Sequence, residues 1–102
     1  MEKLYKIVQG IQKRFPNGID PFQMVVRLLE ECGEVASEVN HWENSGVKKQ
    51  KHGEPSKEKL AKEVMQAMRV LGEIIVYYDI KEEFELIIDT TIEQMKNEGL
   101  LE

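Results

Sequence analysis

Apolar residues return every three or four positions along most of this chain, a period that fits helices and excludes strands. Leu4, Ile7, Val8 and Ile11 draw a single stripe, which predicts a helix over about residues 2–14. The stripe stops at RFPNGIDPF, where Pro16, Asn17-Gly18 and Pro21 are turn formers. Asp20 then offers an N-cap with Pro21 at the first helical position, and a second helix is predicted over about 21–43. NSGVKKQKHGEPS, residues 44–56, has almost no apolar content and reads as an exposed loop. Ser56 is a simple N-cap for a third helix reaching about Tyr78, with Leu60, Val64, Ala67, Leu71, Ile74, Ile75 and Tyr78 as its apolar face. A fourth helix begins near Asp79, carries Phe84, Ile87, Ile88, Thr91, Ile92 and Met95 at helical spacing, and ends with Lys96 in its last turn and Gly99 at C′. No strand pattern competes, so the expectation is one all-α domain over 1–102, a bundle of four to five helices.

The chain has 102 residues, enough for one modest core, and domains of this size often gain further burial by oligomerising. Nineteen acids against 14 lysines and arginines give a net charge of −5, which argues against a nucleic-acid polymer as partner. The single cysteine, Cys32, forbids an internal disulfide and suits a reducing cytoplasm. No apolar run is long enough for a membrane span, and the first ten residues lack a signal-peptide core.

RLLEECGEVASEVNHW, residues 27–42, carries the chemistry. On a helix, Met24, Leu28, Cys32, Val35 and Val39 share an apolar arc of roughly 80°. Gln23, Arg27, Glu30, Glu31, Glu34, Glu38 and His41 share the adjacent arc of roughly 100°. Glutamates at i, i+3 and i, i+4 repel by about 0.2–0.5 kcal/mol per pair. Either they face water as a solvated helix surface, or they face a hard cation such as Mg²⁺, which takes oxygen ligands. A firm site needs a second helix, and the third helix offers Glu63 and Gln66, again at i, i+3. Glu63 sits at the edge of the apolar face and is expected to be partly buried, where a carboxylate wants a partner. An ion pair with Lys59, Lys62 or Arg69 is the plainer partner.

EECGE, Glu30 to Glu34, resembles the EExxE motif of the MazG-like nucleotide pyrophosphohydrolases, and EVMQ, Glu63 to Gln66, stands where that family carries ExxD. The similarity covers about residues 21–80, including the lysine-bearing loop between the motifs. It implies hydrolysis of a nucleoside triphosphate between the α- and β-phosphates, giving a monophosphate and pyrophosphate. It also implies Mg²⁺, with Mn²⁺ as a substitute, and a homodimer or homotetramer in which neighbouring subunits complete the bundle and the site. Carried over residue by residue, Glu31, Glu34, Glu63 and Gln66 would hold the metal, while Glu30 and Glu34 would serve catalysis, Glu30 by orienting or deprotonating the attacking water. Glu38, His41, Trp42, Lys48, Lys49 and Lys96 are the candidates for substrate contact, by stacking on a base or by reaching phosphate oxygens. Each has a plainer role. His41 and Trp42 form a helix-end packing cluster, Lys48 and Lys49 are solvated, and Cys32 is a core residue. Gln66 departs from the family by removing one negative charge, so the alternatives are an enzyme with ligands shifted to Glu38 or Glu73 and a catalytically weakened relative that acts as a nucleotide-binding or regulatory oligomer. Glu38-Val39-Asn40-His41 also has the Glu-x-x-His spacing of di-iron bundles, a third and weaker reading.

Overall fold

Local signals set the helix ends. The Asp20 Oδ1 accepts a hydrogen bond from the Phe22 amide at 2.7 Å, and Pro21 occupies the first helical position. The Ser56 hydroxyl accepts from the Lys59 amide at 3.1 Å. In the computed structural model, residues 1–16, 20–43 and 53–102 are described, and they form four helices: α1 Glu2–Arg14, α2 Pro21–Trp42, α3 Lys57–Tyr77 and α4 Lys81–Asn97. No strand occurs among the described residues. The protein is all-α.

The last two helices end the same way with different residues. At the end of α4 the Gly99 amide donates to Lys96 O at 3.0 Å and the Leu100 amide donates to Met95 O at 2.9 Å, a Schellman motif with Gly99 at φ 78°. At the end of α3 the Asp79 amide donates to Val76 O and the Ile80 amide to Ile75 O, with Asp79 at φ 54°. Asp79 therefore terminates α3, and α4 begins at Lys81 rather than at Asp79 as its sequence suggests. An aspartate tolerates this left-handed conformation better than most side chains, though less well than glycine.

α3 is the central element. α2 packs along it, α1 packs against it, and α4 touches only its end. Gly72 explains the approach of α1: a Cβ there would lie 3.0 Å from Val8 Cγ2. Tyr5, Val8, Met24, Val70 and Ile75 form the buried apolar core. The Tyr5 ring also carries Lys81 Nζ at 4.3 Å from its centroid, tying the start of α4 to α1. Beyond that point α4 has no buried residue. The outline is correspondingly open, 46 × 45 × 22 Å with a radius of gyration of 17.0 Å. A compact chain of this length has about 13 Å.

The buried faces are rotated from those that apolar content predicts. On α1, Tyr5 and Val8 are buried while Ile7 is exposed. On α2, Met24, Glu38 and His41 are buried; Cys32 and Val39, expected in the core, are exposed. On α3, Val70, Gly72, Glu73 and Ile75 are buried, while Val64, Leu71 and Tyr78 of the predicted apolar face are exposed. α2 and α3 each turn toward a side that mixes charge with apolar residues, and each supplies the other with opposite charge.

Candidate functional site

Two ion pairs fix how α2 and α3 meet. Arg27 Nη1 lies 3.8 Å from Glu73 Oε2 near one end, and Lys59 Nζ lies 3.5 Å from Glu38 Oε1 near the other. Their order along the two helices makes α2 and α3 antiparallel. It also sets Glu31 and Glu34 of α2 level with the Glu63–Arg69 stretch of α3, so the two acid-bearing segments face each other in register.

Within this seam the candidate residues differ in exposure. Glu30 and Glu34 are exposed; Glu31, Glu63 and Gln66 are half-buried. The Glu31 Oε2 is shut away from solvent and has no hydrogen-bond partner. Carboxylate oxygens in that state are costly unless a cation or a donor meets them. Arg69 Nε and both Glu73 carboxylate oxygens are also buried without a hydrogen bond, and Glu73 is ion-paired with Arg27. Among the described residues, no three acidic, histidine or cysteine side chains converge as a set able to hold a metal. The donor set suits Mg²⁺ by chemistry, with one carboxamide and three carboxylates, one of which holds the orphaned buried oxygen, but among the described residues the acids do not converge on one point.

Glu38 is the most completely buried of the acids, at 0% exposure. Lys59 is one partner, and His41 Nδ1 lies 3.8 Å from its Oε2. His41 is itself buried, and its Nε2 hydrogen-bonds the Gly53 carbonyl. A carbonyl can only accept, so Nε2 donates this bond, and Nδ1 is turned to the carboxylate. The Glu38–His41–Lys59 group thus pins the end of α2, the start of α3 and Gly53 together. Trp42, the last residue of α2, is 38% exposed beside it. Lys48 and Lys49 lie outside the described residues. Lys96 is exposed on α4, 3.7 Å from Glu93 Oε1, on a helix that does not pack against α2.

Sequence reasoning gave no seam role to Arg27 or Lys59, and took Glu73 as an alternative metal ligand rather than as an ion-pair partner. Their signal was weak: Gln66, Val70 and Glu73 share one face of α3 at i, i+4 and i+7, but this becomes a pattern only once α2 is known to oppose it. Lys59, read as a partner for Glu63, instead bonds Glu38 across the seam.

The chain matches no family model, no curated protein and no solved structure.

Proposed function

We propose that this protein is a Mg²⁺-dependent nucleoside triphosphate pyrophosphohydrolase, with Mn²⁺ able to replace Mg²⁺, acting as a MazG-like all-α homo-oligomer. The reading is supported most by the register of the α2–α3 seam, in which the buried, unpartnered Glu31 Oε2 lies level with the Glu63–Arg69 stretch. Glu31, Glu34, Glu63 and Gln66 would hold the ion. When bound, a divalent ion supplies Lewis-acid polarisation of a phosphoryl oxygen and lowers the pKa of its water. Glu30, exposed one residue before Glu31, would accept a proton from the attacking water. Trp42, half-open at the end of α2, offers a stacking surface for a base, and Lys48 and Lys49 remain candidates for the phosphates. No helix among the described residues is long and apolar enough to cross a membrane.

The test is pyrophosphate release from a panel of ribo- and deoxyribonucleoside triphosphates with Mg²⁺ or Mn²⁺. Release abolished by Glu34→Ala is the expected result. No release from any nucleotide, by protein whose helicity is intact, sinks the assignment.

One observation favours a second reading, a relative with weakened or absent catalysis that binds nucleotide or regulates as an oligomer. Lys59 and Arg27 already neutralise two seam carboxylates, and the acids do not form a three-membered group among the described residues. Gln66→Asp separates the two. A large gain in divalent affinity by calorimetry, or in rate, marks Gln66 as a weakened ligand in an enzyme. No change in either supports the second reading.

A further inference from the structure

Each helix of the inner seam carries an arginine and, four residues further on, a glutamate: Arg27 and Glu31 on α2, Arg69 and Glu73 on α3. Residues at this spacing share one face of a helix. Running the two helices antiparallel sets each arginine opposite the other helix's glutamate, whereas parallel helices would set arginine on arginine. One of the two crossed pairs is made, Arg27 Nη1 standing 3.8 Å from Glu73 Oε2. One turn further along both helices from that pair stand Glu31 on α2 and Arg69 on α3.

This second pair is set up but not closed. Both residues are half-buried. Glu31 Oε2 and Arg69 Nε are each shut away from solvent without a hydrogen-bond partner, and among the described residues no ion pair joins them. The other seam acids do not claim Arg69. Glu73, one turn on along α3, is held by Arg27, and Glu38 by Lys59. Gln66, one turn back, is neutral. A guanidinium keeps its charge when desolvated and presents a fork that matches a carboxylate. A buried carboxylate oxygen and a buried guanidinium N–H that stand level and unpaired both cost free energy, which pairing recovers.

We propose that Arg69 is the counter-ion of Glu31 and competes with a divalent cation for this carboxylate. Pairing closes the second bridge of the seam, and Arg69 leaves Glu31 when a cation takes its place. Arg69 is thus a positioning residue that sets how tightly the site holds a cation, not a ligand. The pairing rests on the seam alone, while the competition rests on the proposed function, in which Glu31 holds the ion.

A double-mutant cycle on the full chain, with chelator present, tests the pairing. Glu31→Gln and Arg69→Met are each expected to lower the urea midpoint, and the double variant to lower it by clearly less than the two shifts together. Shifts that add overturn the proposal. Circular dichroism without urea checks that each variant is helical. Arg69→Lys, which keeps the charge but not the fork, is expected to fall between the wild type and Arg69→Met.

The competition is read by calorimetry with Mn²⁺ alone. Arg69→Met is expected to bind Mn²⁺ roughly tenfold more tightly than the wild type, and to lose that gain when Glu31→Gln is added. Equal affinity in the wild type and Arg69→Met, or no Mn²⁺ binding by either, overturns the competition. Pyrophosphate release separates this proposal from the function it builds on. Additive shifts in a protein that releases pyrophosphate sink the role of Arg69 and leave the enzyme standing. Coupled shifts and tighter Mn²⁺ binding by Arg69→Met, in a protein that releases none, sink the enzyme and leave the role of Arg69 standing.

Discussion

The two faces of α2 follow opposite rules. The face against α3 buries Glu38 and His41 and half-buries Arg27 and Glu31, while the face away from it exposes Phe22, Val25, Val26 and Leu29. A helix packed for burial alone would turn the other way. The inner seam gains from matched charges instead, Arg27 with Glu73 and Glu38 with Lys59. Buried ion pairs give little net stability but are well attested as devices that set register. On this view the charges decide which helices meet and in what alignment, and the apolar surface of α2 is left exposed.

If charges specify the inner seam, removing the most buried one has the largest effect. Glu38→Ala is expected to destabilise the fold by about 3 kcal/mol, read as a shift in urea midpoint, because it empties a fully buried volume and unties His41 and Lys59. Glu30→Ala, at an exposed position on the same helix, should stay within about 0.5 kcal/mol. Equal effects at the two positions would break the comparison. A second pair separates alignment from stability. Arg27→Ala leaves Glu73 buried without its ion-pair partner and is expected to lose about 2–3 kcal/mol, whereas Glu73→Met, which removes two buried oxygens without hydrogen bonds, is expected to be neutral or stabilising by about 1 kcal/mol.

The glycines sharpen the contrast between the faces at a smaller scale. Gly72→Ala forces the buried Val8 side chain to move and should cost about 1 kcal/mol net of the gain in helix propensity. Gly33→Ala meets open space within the chain, so it should stabilise the fold by about 1 kcal/mol.

The smallest effect lies away from α2. Burial first, and the Glu85 carboxylate second, push the Tyr5 hydroxyl above its ordinary 10.0. The folded state therefore holds the proton more tightly than the unfolded one. That contribution is fully present below pH 10 and is lost as pH rises through the raised folded value. Tyr5→Phe removes a hydroxyl that has no hydrogen-bond partner, and it should flatten the fall in stability above pH 10 while changing little at pH 7. An unchanged alkaline slope would show that Tyr5 does not titrate with unfolding.

What was legible in the sequence was local. Asp20, Pro21, Ser56 and Gly99 announced helix ends because a cap is made by hydrogen bonds spanning two to five residues. Asp79 escaped because a left-handed aspartate closing a Schellman motif looks like an ordinary first-turn acid. The candidate site was half legible. The acid-bearing segments of α2 and α3 lie level across an antiparallel pair, but Glu30 and Glu34 are exposed, the acids do not converge among the described residues, and the roles of Lys59 and Arg27 were not readable. A cation that neutralises a carboxylate on a different helix leaves no periodic trace.

The sequence by itself determined the helices and their approximate limits, because backbone hydrogen bonds, caps and the 3.6-residue period are short-range. It also determined that acids would crowd one side of α2. Only the tertiary structure decided which side faced inward. The most apolar arc was the obvious choice, yet α3 offers Lys59 at one end and Glu73 at the other, and pairing across that seam turned Cys32 and Val39 out to the surface and Glu38 into the interior. Helix formation is settled within one chain segment; the choice of face depends on what the neighbouring helix presents.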